Sequence, residues 1–317
     1  MSTQESAPLT VLFASTVEDP DVWLPELRRR LPADRVLGTD APADFHDVDV
    51  AVVSQPPRGL LGRLPHLRLV QSLWMGVDGL LADPDLPRDV PVARMVDPGM
   101  TTQMPEAALA HVLWAHRQLD VYARQQQARR WRPLPQPTIG ERTVGVLGLG
   151  ELGCRTARRL ALTGFDVSGW SRRSKALDGV ATYHGDDALH TVLAACEVLV
   201  VQLSLTPSTR HIVNAELLAR LPAGAVLVNL ARGEHVVDDD LLAALDAGHL
   251  RHAVLDAFMD EPLPPEHPFW GHPRVTVTPH VAAVSTPAGC APVVAANIAR
   301  LRRGAPLLHL IDRTLGY

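Results

Sequence analysis

Lysine is almost missing from this chain: Lys175 stands alone among 30 basic residues, and the other 29 are arginine. A Gly-Lys-Ser/Thr phosphate loop is therefore excluded, and covalent catalysis through a lysine amine is a poor reading. Cysteine is scarce as well. Cys154, Cys196 and Cys290 are too few and too scattered for a disulfide framework or a C-x-x-C metal site, so core filling is their expected role and no metal is expected. No stretch approaches the roughly 18 uninterrupted apolar residues of a membrane span, and the start, MSTQESAPLT, lacks the charged and apolar regions of a signal peptide. A cytoplasmic protein with no membrane partner is the expectation. A net charge of -5 and a pI near 6.3 speak against nucleic acid as a main partner, because phosphate binding needs a basic surface.

What is present is globular. The length of 317 residues exceeds what one core usually serves, and 46% apolar residues suffice for two domains. Short apolar runs alternate with helical patterns from the start: LTVLFA (9–14), PDVWLPELRRRL (20–31), DVAVV (49–53), LRLVQS (67–72) and VPVARM. Strands alternating with helices predict a parallel sheet covered on both faces. Residues 101–130 read as one long helix with a threonine cap and Pro105 in its first turns. A second α/β series follows, with RTVGVLG, FDVSGW, EVLVVQL, AVLVNL, HAVLDAF and RVTVTP as six strands. RPLPQP (132–137) reads as a linker, and an alanine-rich helical pattern begins near residue 286.

The run VGVLGLGELG holds Gly148, Gly150 and Gly153 in the spacing G-x-G-x-x-G, after a strand pattern and before a helical one. In that context the glycines make a tight turn and let the backbone approach a pyrophosphate, which sits on the helix N-terminus at Glu151 and Leu152. An NAD site usually ends its next strand in Asp or Glu, to bind the adenosine ribose. Here that strand, FDVSGW, runs into Trp170, Ser171, Arg172 and Arg173, with Lys175 just beyond. A carboxylate there would repel a 2'-phosphate and cations would bind it, so NADP is the expected cofactor, with NAD weaker.

Three further polar residues stand at or just past predicted strand ends: Arg232, Glu261 and His280. Ligands bind at the carboxyl ends of strands in open α/β sheets. Arg232 would present a forked cation to a carboxylate or a polarised carbonyl oxygen. His280 would give that oxygen a proton as hydride arrives, and Glu261 would orient the imidazole. Reduction of a 2-keto acid needs all three functions.

The segments VGVLGLGELG, LARGEHVVDDDLLAAL (230–245) and LDAFMDEPLPPEHPFWGHPRVTVTPHVAA (255–283), with Trp-Ser-Arg after the second strand, resemble the D-isomer-specific 2-hydroxyacid dehydrogenases, and among them the glyoxylate/hydroxypyruvate reductase group. The resemblance covers nearly the whole length. It implies two doubly wound parallel-sheet domains: a Rossmann cofactor domain (99–285) inserted into a flavodoxin-like substrate domain (1–98 plus 286–317), with the active site in the cleft between them. It places Arg232, Glu261 and His280 on the catalytic positions, Asp256 at the nicotinamide end of the cofactor, and Leu205, Leu230, Ala231 and Ala282 around the cofactor. The turn LWMGVDGLL falls where the family binds the substrate carboxylate, which points to Trp74, Met75, Gly76 and Val77. Many members have Gly-Ala-Gly-Val-Asp there; two bulky residues instead would narrow the pocket toward small acids, unless they turn into the core. The resemblance also implies a homodimer through residues 101–130.

The implied activity is NADPH-dependent reduction of small 2-keto acids, glyoxylate to glycolate and hydroxypyruvate to D-glycerate. Alternatives are a D-lactate-type or phosphite-type dehydrogenase and, from another class, a dinucleotide-sensing interaction protein. Formate dehydrogenases, a related branch, place Gln where Glu261 stands. With LIDRTLGY following almost directly on the last structural element, a partner-binding tail of the sensing type is not expected.

Overall fold

The computed structural model describes residues 7–40 and 45–317; residues 1–6, part of the stretch read for a leader, lie outside them. The chain divides into two compact units, Met1–Gly99 with Ser285–Tyr317, and Met100–Val284. Among the described residues no helix is long and apolar enough to cross a membrane.

The first unit begins with β1 (Thr10–Ser15), α1 (Pro20–Arg30), β2 (Arg35–Gly38), β3 (Val50–Ser54), β4 (Leu69–Ser72), a single-turn α2 (Asp78–Leu81) and β5 (Val92–Ala93). All neighbours are parallel, in the order β2-β1-β3-β4-β5. This is the flavodoxin-type order, with its switch point between β1 and β3. β3 is buried at all five positions because helices cover both faces of the sheet. α1 starts where Asp19 accepts the Asp21 N–H and Pro20 fixes the first turn; it buries Trp23, Leu24 and Leu27. β2 was not expected: RVLG is too short to show either alternation or a buried run.

The second unit runs from α3 (Pro98–His116) through α4 (Leu119–Gln127), β6 (Thr143–Leu147), α5 (Glu151–Thr163), β7 (Asp166–Ser171), β8 (Ala181–His184), α6 (Asp186–Ala195), β9 (Val198–Val201), α7 (Ala215–Ala219), β10 (Ala225–Asn229), α8 (Asp238–Asp246) and β11 (Leu250–Leu255) to β12 (Val275–Val277). Its strands are parallel in the order β12-β11-β10-β9-β6-β7-β8. Counted from β6, this is the Rossmann order 3-2-1-4-5-6 with one strand added. Side chains alternate between two cores. Val198 and Val200 of β9 join α3 and α5 on one face, and Leu199 and Val201 join α6 to α8 on the other. α9 (Pro287–Arg302), capped by Thr286, then returns Cys290, Ala291, Val294 and Ile298 to the α1 side of the first unit. Cys196 and Cys290 fill core space, as expected, and burial pushes both thiols up to about 12.

Two expectations are corrected here. The second series has seven strands, because the half-exposed ATYH forms β8 at the sheet edge. Residues 101–130 form two helices: Asp97 accepts the Gly99 N–H and starts α3 ahead of the threonines, which puts Pro105 in its third turn. The break before α4 lies at Gln118, whose φ of 55° is left-handed.

α4 is fastened to the sheet by buried charge. The Asp120 carboxylate, with no exposed side-chain surface, meets Arg251 Nη1 at 2.7 Å and Arg124 Nη2 at 3.4 Å. His252 lies 4.0 Å from it and bonds Thr276 Oγ1 at 2.8 Å. Burial holds the His252 imidazole down to about 4, against the pull of Asp120 and with help from Arg124, Arg251 and His272. Its folded-state value thus lies below the unfolded value of about 6.5, so its contribution is present above that pH and is lost as pH falls toward 4. The change is about 3 kcal/mol. Melting temperature should fall over this window in the wild type and fall less in His252→Gln; parallel pH curves would remove His252 from the effect.

Candidate active site

The glycine turn is built by close approach. β6 ends at Leu147, and the Gly148 N–H is held by Trp170 O at 2.9 Å. A Cβ at Gly153 would lie 1.7 Å from Gly148 O, so only glycine lets α5 fold back against the turn. A Cβ at Gly150 would meet nothing within 4 Å, and the residue heads α5 with no side-chain cap. An open face of unprotected backbone with the helix dipole behind it is the cradle a pyrophosphate requires, so these residues fit a dinucleotide. Glu151 and Leu152 form its first turn. The Gln202 amide is buried beside Gly153 without a hydrogen-bond partner among the described residues, a polar group that the sequence pattern did not single out.

After β7, Arg172, Arg173 and Lys175 are exposed, and the positive charge of Lys175 reaches Cys154 in the first turn of α5. Ser171 Oγ donates to Arg173 O at 2.7 Å and shapes the loop. Trp170 itself is a core residue: it is buried, and its indole N–H goes to Gly185 O at 2.8 Å. Leu205, Leu230, Ala231 and Ala282 are buried positions, the first three just past β9 and β10 and the last past β12.

The three polar residues lie in the same unit, at the carboxyl ends of β10, β11 and β12. Glu261 Oε1 accepts the Phe258 N–H at 2.9 Å, and its two oxygens take His280 Nδ1 at 3.1 and 2.8 Å. An ionised carboxylate only accepts, so Nδ1 carries the hydrogen and Nε2 is left as the proton donor of an imidazolium. About two-fifths of the His280 side chain is open to solvent (42%). Burial would raise the Glu261 carboxyl, but the His280 and Phe258 hydrogen bonds, with the charges of His280 and Arg232, outweigh it and hold the carboxyl below its usual value. The charge of Arg232 thus reaches Glu261, as the smallest of these influences.

Asp256 shapes the loop that carries His280. Its buried carboxylate takes Thr278 Oγ1 at 2.7 Å, Val281 N–H at 3.0 Å and Ala282 N–H at 2.9 Å. The loop is cinched around it, and His280 takes a left-handed φ of 53° between those anchors. Such a conformation in a non-glycine residue costs on the order of 1–3 kcal/mol and persists only where neighbours over-determine it. Arg232 is held in a comparable way: Asn229, at the end of β10, gives its amide N–H to Arg232 O at 2.9 Å, and His235 Nδ1 accepts the Arg232 N–H at 3.2 Å. Sequence reasoning missed Asn229. Its signal is a lone polar residue ending an otherwise apolar strand.

In the first unit, the expected substrate turn follows β4. Ser72 Oγ accepts the Trp74 N–H and donates to Trp74 O, both at 3.0 Å. Trp74 is half-buried and packs against the core beside β4, while Met75 and Gly76 are partly exposed and Val77 is buried. Trp74 therefore spends part of its surface on packing.

A flavodoxin-type unit and a Rossmann unit, the latter with a dinucleotide turn and a carboxylate-held histidine, define an α/β oxidoreductase architecture. Residues 109–282 match the family model described as "D-isomer specific 2-hydroxyacid dehydrogenase, NAD binding domain", and the chain belongs to that family. It is 41% identical, over 98% of its length and all of the relative, to glyoxylate/hydroxypyruvate reductase A of Serratia proteamaculans (strain 568). It is also similar to the structure of a D-isomer specific 2-hydroxyacid dehydrogenase from Xanthobacter autotrophicus Py2 in complex with NADPH and MES: TM-score 0.94, 43% identity, covering 98% of this chain and 100% of that one. An NADPH-dependent glyoxylate/hydroxypyruvate reductase from Sinorhizobium meliloti, in complex with NADP and sulfate, gives a TM-score of 0.92 at 39% identity, with the same coverage.

Proposed function

We propose that this protein reduces small 2-keto acids, glyoxylate and hydroxypyruvate foremost, with NADPH. The observation that carries the reading is the His280–Glu261 pair at 2.8 Å, past the strand ends of the unit that also holds Arg232. The named reductases among its relatives and the NADPH and NADP in their structures support it. When bound, NADPH would supply the hydride for the keto carbon. His280 Nε2 gives its proton to the carbonyl oxygen, which becomes the hydroxyl, and the imidazole is left neutral with Nδ1–H still on Glu261. Glu261 keeps the ring aimed and balances the imidazolium charge before transfer. Arg232 holds the substrate by a forked contact with its carboxylate or carbonyl oxygen.

The second unit is the cofactor domain in this reading and the first is the substrate domain, with the backbone at Met75, Gly76 and Val77 holding the carboxylate. Gly148, Gly150, Gly153 and the first turn of α5 hold the pyrophosphate, and Arg172, Arg173 and Lys175 select the 2'-phosphate. Asp256 acts by fixing the His280 loop. We infer a homodimer through residues 101–130, supported by the exposed Trp114 and Leu119 of that region; a solution mass near 34.4 kDa would dispose of it.

Arg232→Lys tests the anchoring role. The charge remains but the fork is lost, so KM for glyoxylate should rise roughly tenfold or more with a smaller change in kcat. An unchanged KM would contradict the assignment.

A further inference from the structure

In the first unit one carboxylate bridges two tryptophans. Glu18, in the loop after β1, accepts the Trp23 indole N–H on Oε2 at 2.8 Å and faces the Trp74 indole N–H with Oε1 at 3.4 Å. Trp23 is buried and stacks on Phe13 with ring centroids 6.2 Å apart, so it is a fixed point of the core. Glu18 is fixed in turn: Ser15 Oγ accepts its backbone N–H at 2.8 Å, and Ser15 is bonded by Ser54 Oγ at 3.0 Å at the end of β3. The backbone of Trp74 is independently pinned, by Ser72 Oγ on both sides and by the Met95 N–H to Trp74 O at 3.0 Å. The polar contact that sets the angle of the Trp74 ring therefore comes from Glu18.

We propose that Glu18 is a positioning residue: it locks the Trp74 indole as a wall of the substrate turn and thereby sets discrimination between small and bulky 2-keto acids. The inference rests on the reading of residues 74–77 as the substrate turn. A pocket wall acts on selectivity through differential transition-state binding, and losing one is worth roughly 10–200-fold. An indole without its acceptor keeps only its packing on the core to hold its angle, so the wall loosens while the Glu261–His280 pair is untouched.

The test is kcat/KM with NADPH for glyoxylate and for phenylpyruvate, in the wild type, Glu18→Leu, Glu18→Gln, Trp74→Ala and the Glu18→Leu/Trp74→Ala double variant. Glu18→Leu should lower the glyoxylate-to-phenylpyruvate ratio roughly tenfold, the low end of that range, with KM for NADPH unmoved. Glu18→Gln keeps one acceptor oxygen for two indole N–H groups and turns its NH2 toward the other, so it should restore only part of the ratio. In the double variant Glu18→Leu should add nothing to Trp74→Ala. If Trp74→Ala shifts the ratio and Glu18→Leu does not, Glu18 has no such role. If Trp74→Ala leaves both the ratio and the glyoxylate KM unchanged, the reading of the turn itself fails.

Discussion

His280→Ala should lower kcat by roughly 10²–10⁴, the span expected for a positioned acid, and leave NADPH binding nearly intact. The separation follows from geometry. His280 stands in the loop after β12 and bonds to Glu261, whereas the glycine turn is made by β6, α5 and the end of β9. Removing the imidazole costs the proton at the carbonyl oxygen without touching the pyrophosphate cradle. Glu261→Gln should fall part of the way, because an amide oxygen can still accept the Nδ1 hydrogen but no longer balances an imidazolium. Rates under single-turnover conditions and NADPH affinity by fluorescence separate the two effects; a kcat within twofold of wild type would remove His280 from the mechanism.

A comparable loss is expected from a methyl group that touches no substrate. Gly233 follows Arg232, and a Cβ there would lie 1.8 Å from Phe258 C and 2.1 Å from Met259 N. The obstacles are backbone atoms, so nothing flexible can move aside. Gly233→Ala must push the Arg232 turn away from the Phe258–Met259 segment, and the Phe258 N–H is the group that holds Glu261. Both ends of the catalytic set shift together. A displacement of about 1 Å costs on the order of 100-fold in rate, so kcat/KM for glyoxylate should fall by about that factor while the protein still folds. Near-normal kcat/KM would mean that the two segments are not coupled.

Much of this organisation was legible in the sequence, because the features concerned are local. The strands of both sheets announce themselves as apolar runs, since a parallel sheet is buried on both faces. The glycine turn shows itself by spacing between a strand and a helix. Arg232, Glu261 and His280 could be picked out as polar residues at strand ends, and the long motifs around them carried the family resemblance. What stayed hidden is non-local or atypical. β2 and β8 are edge strands of four residues with no clear periodicity. The break between α3 and α4 falls at a glutamine, with no glycine or proline to mark it. The Asp256 clamp joins residues 22 to 26 positions apart, and the approach of Gly233 to Phe258 depends on how two loops lie on β10 and β11. Neither leaves a trace in spacing. The Trp74 turn is intermediate: its departure from the family pattern is visible in the sequence, but its packing and its tie to Glu18 are not.

The most direct test of the whole account is kcat/KM for glyoxylate measured with NADPH and with NADH on the purified protein. The account predicts steady consumption of reduced cofactor dependent on the keto acid, with NADPH preferred by at least roughly tenfold, because Arg172, Arg173 and Lys175 stand where an NAD site carries an acid. No turnover with glyoxylate or hydroxypyruvate, or a preference for NADH, would contradict it.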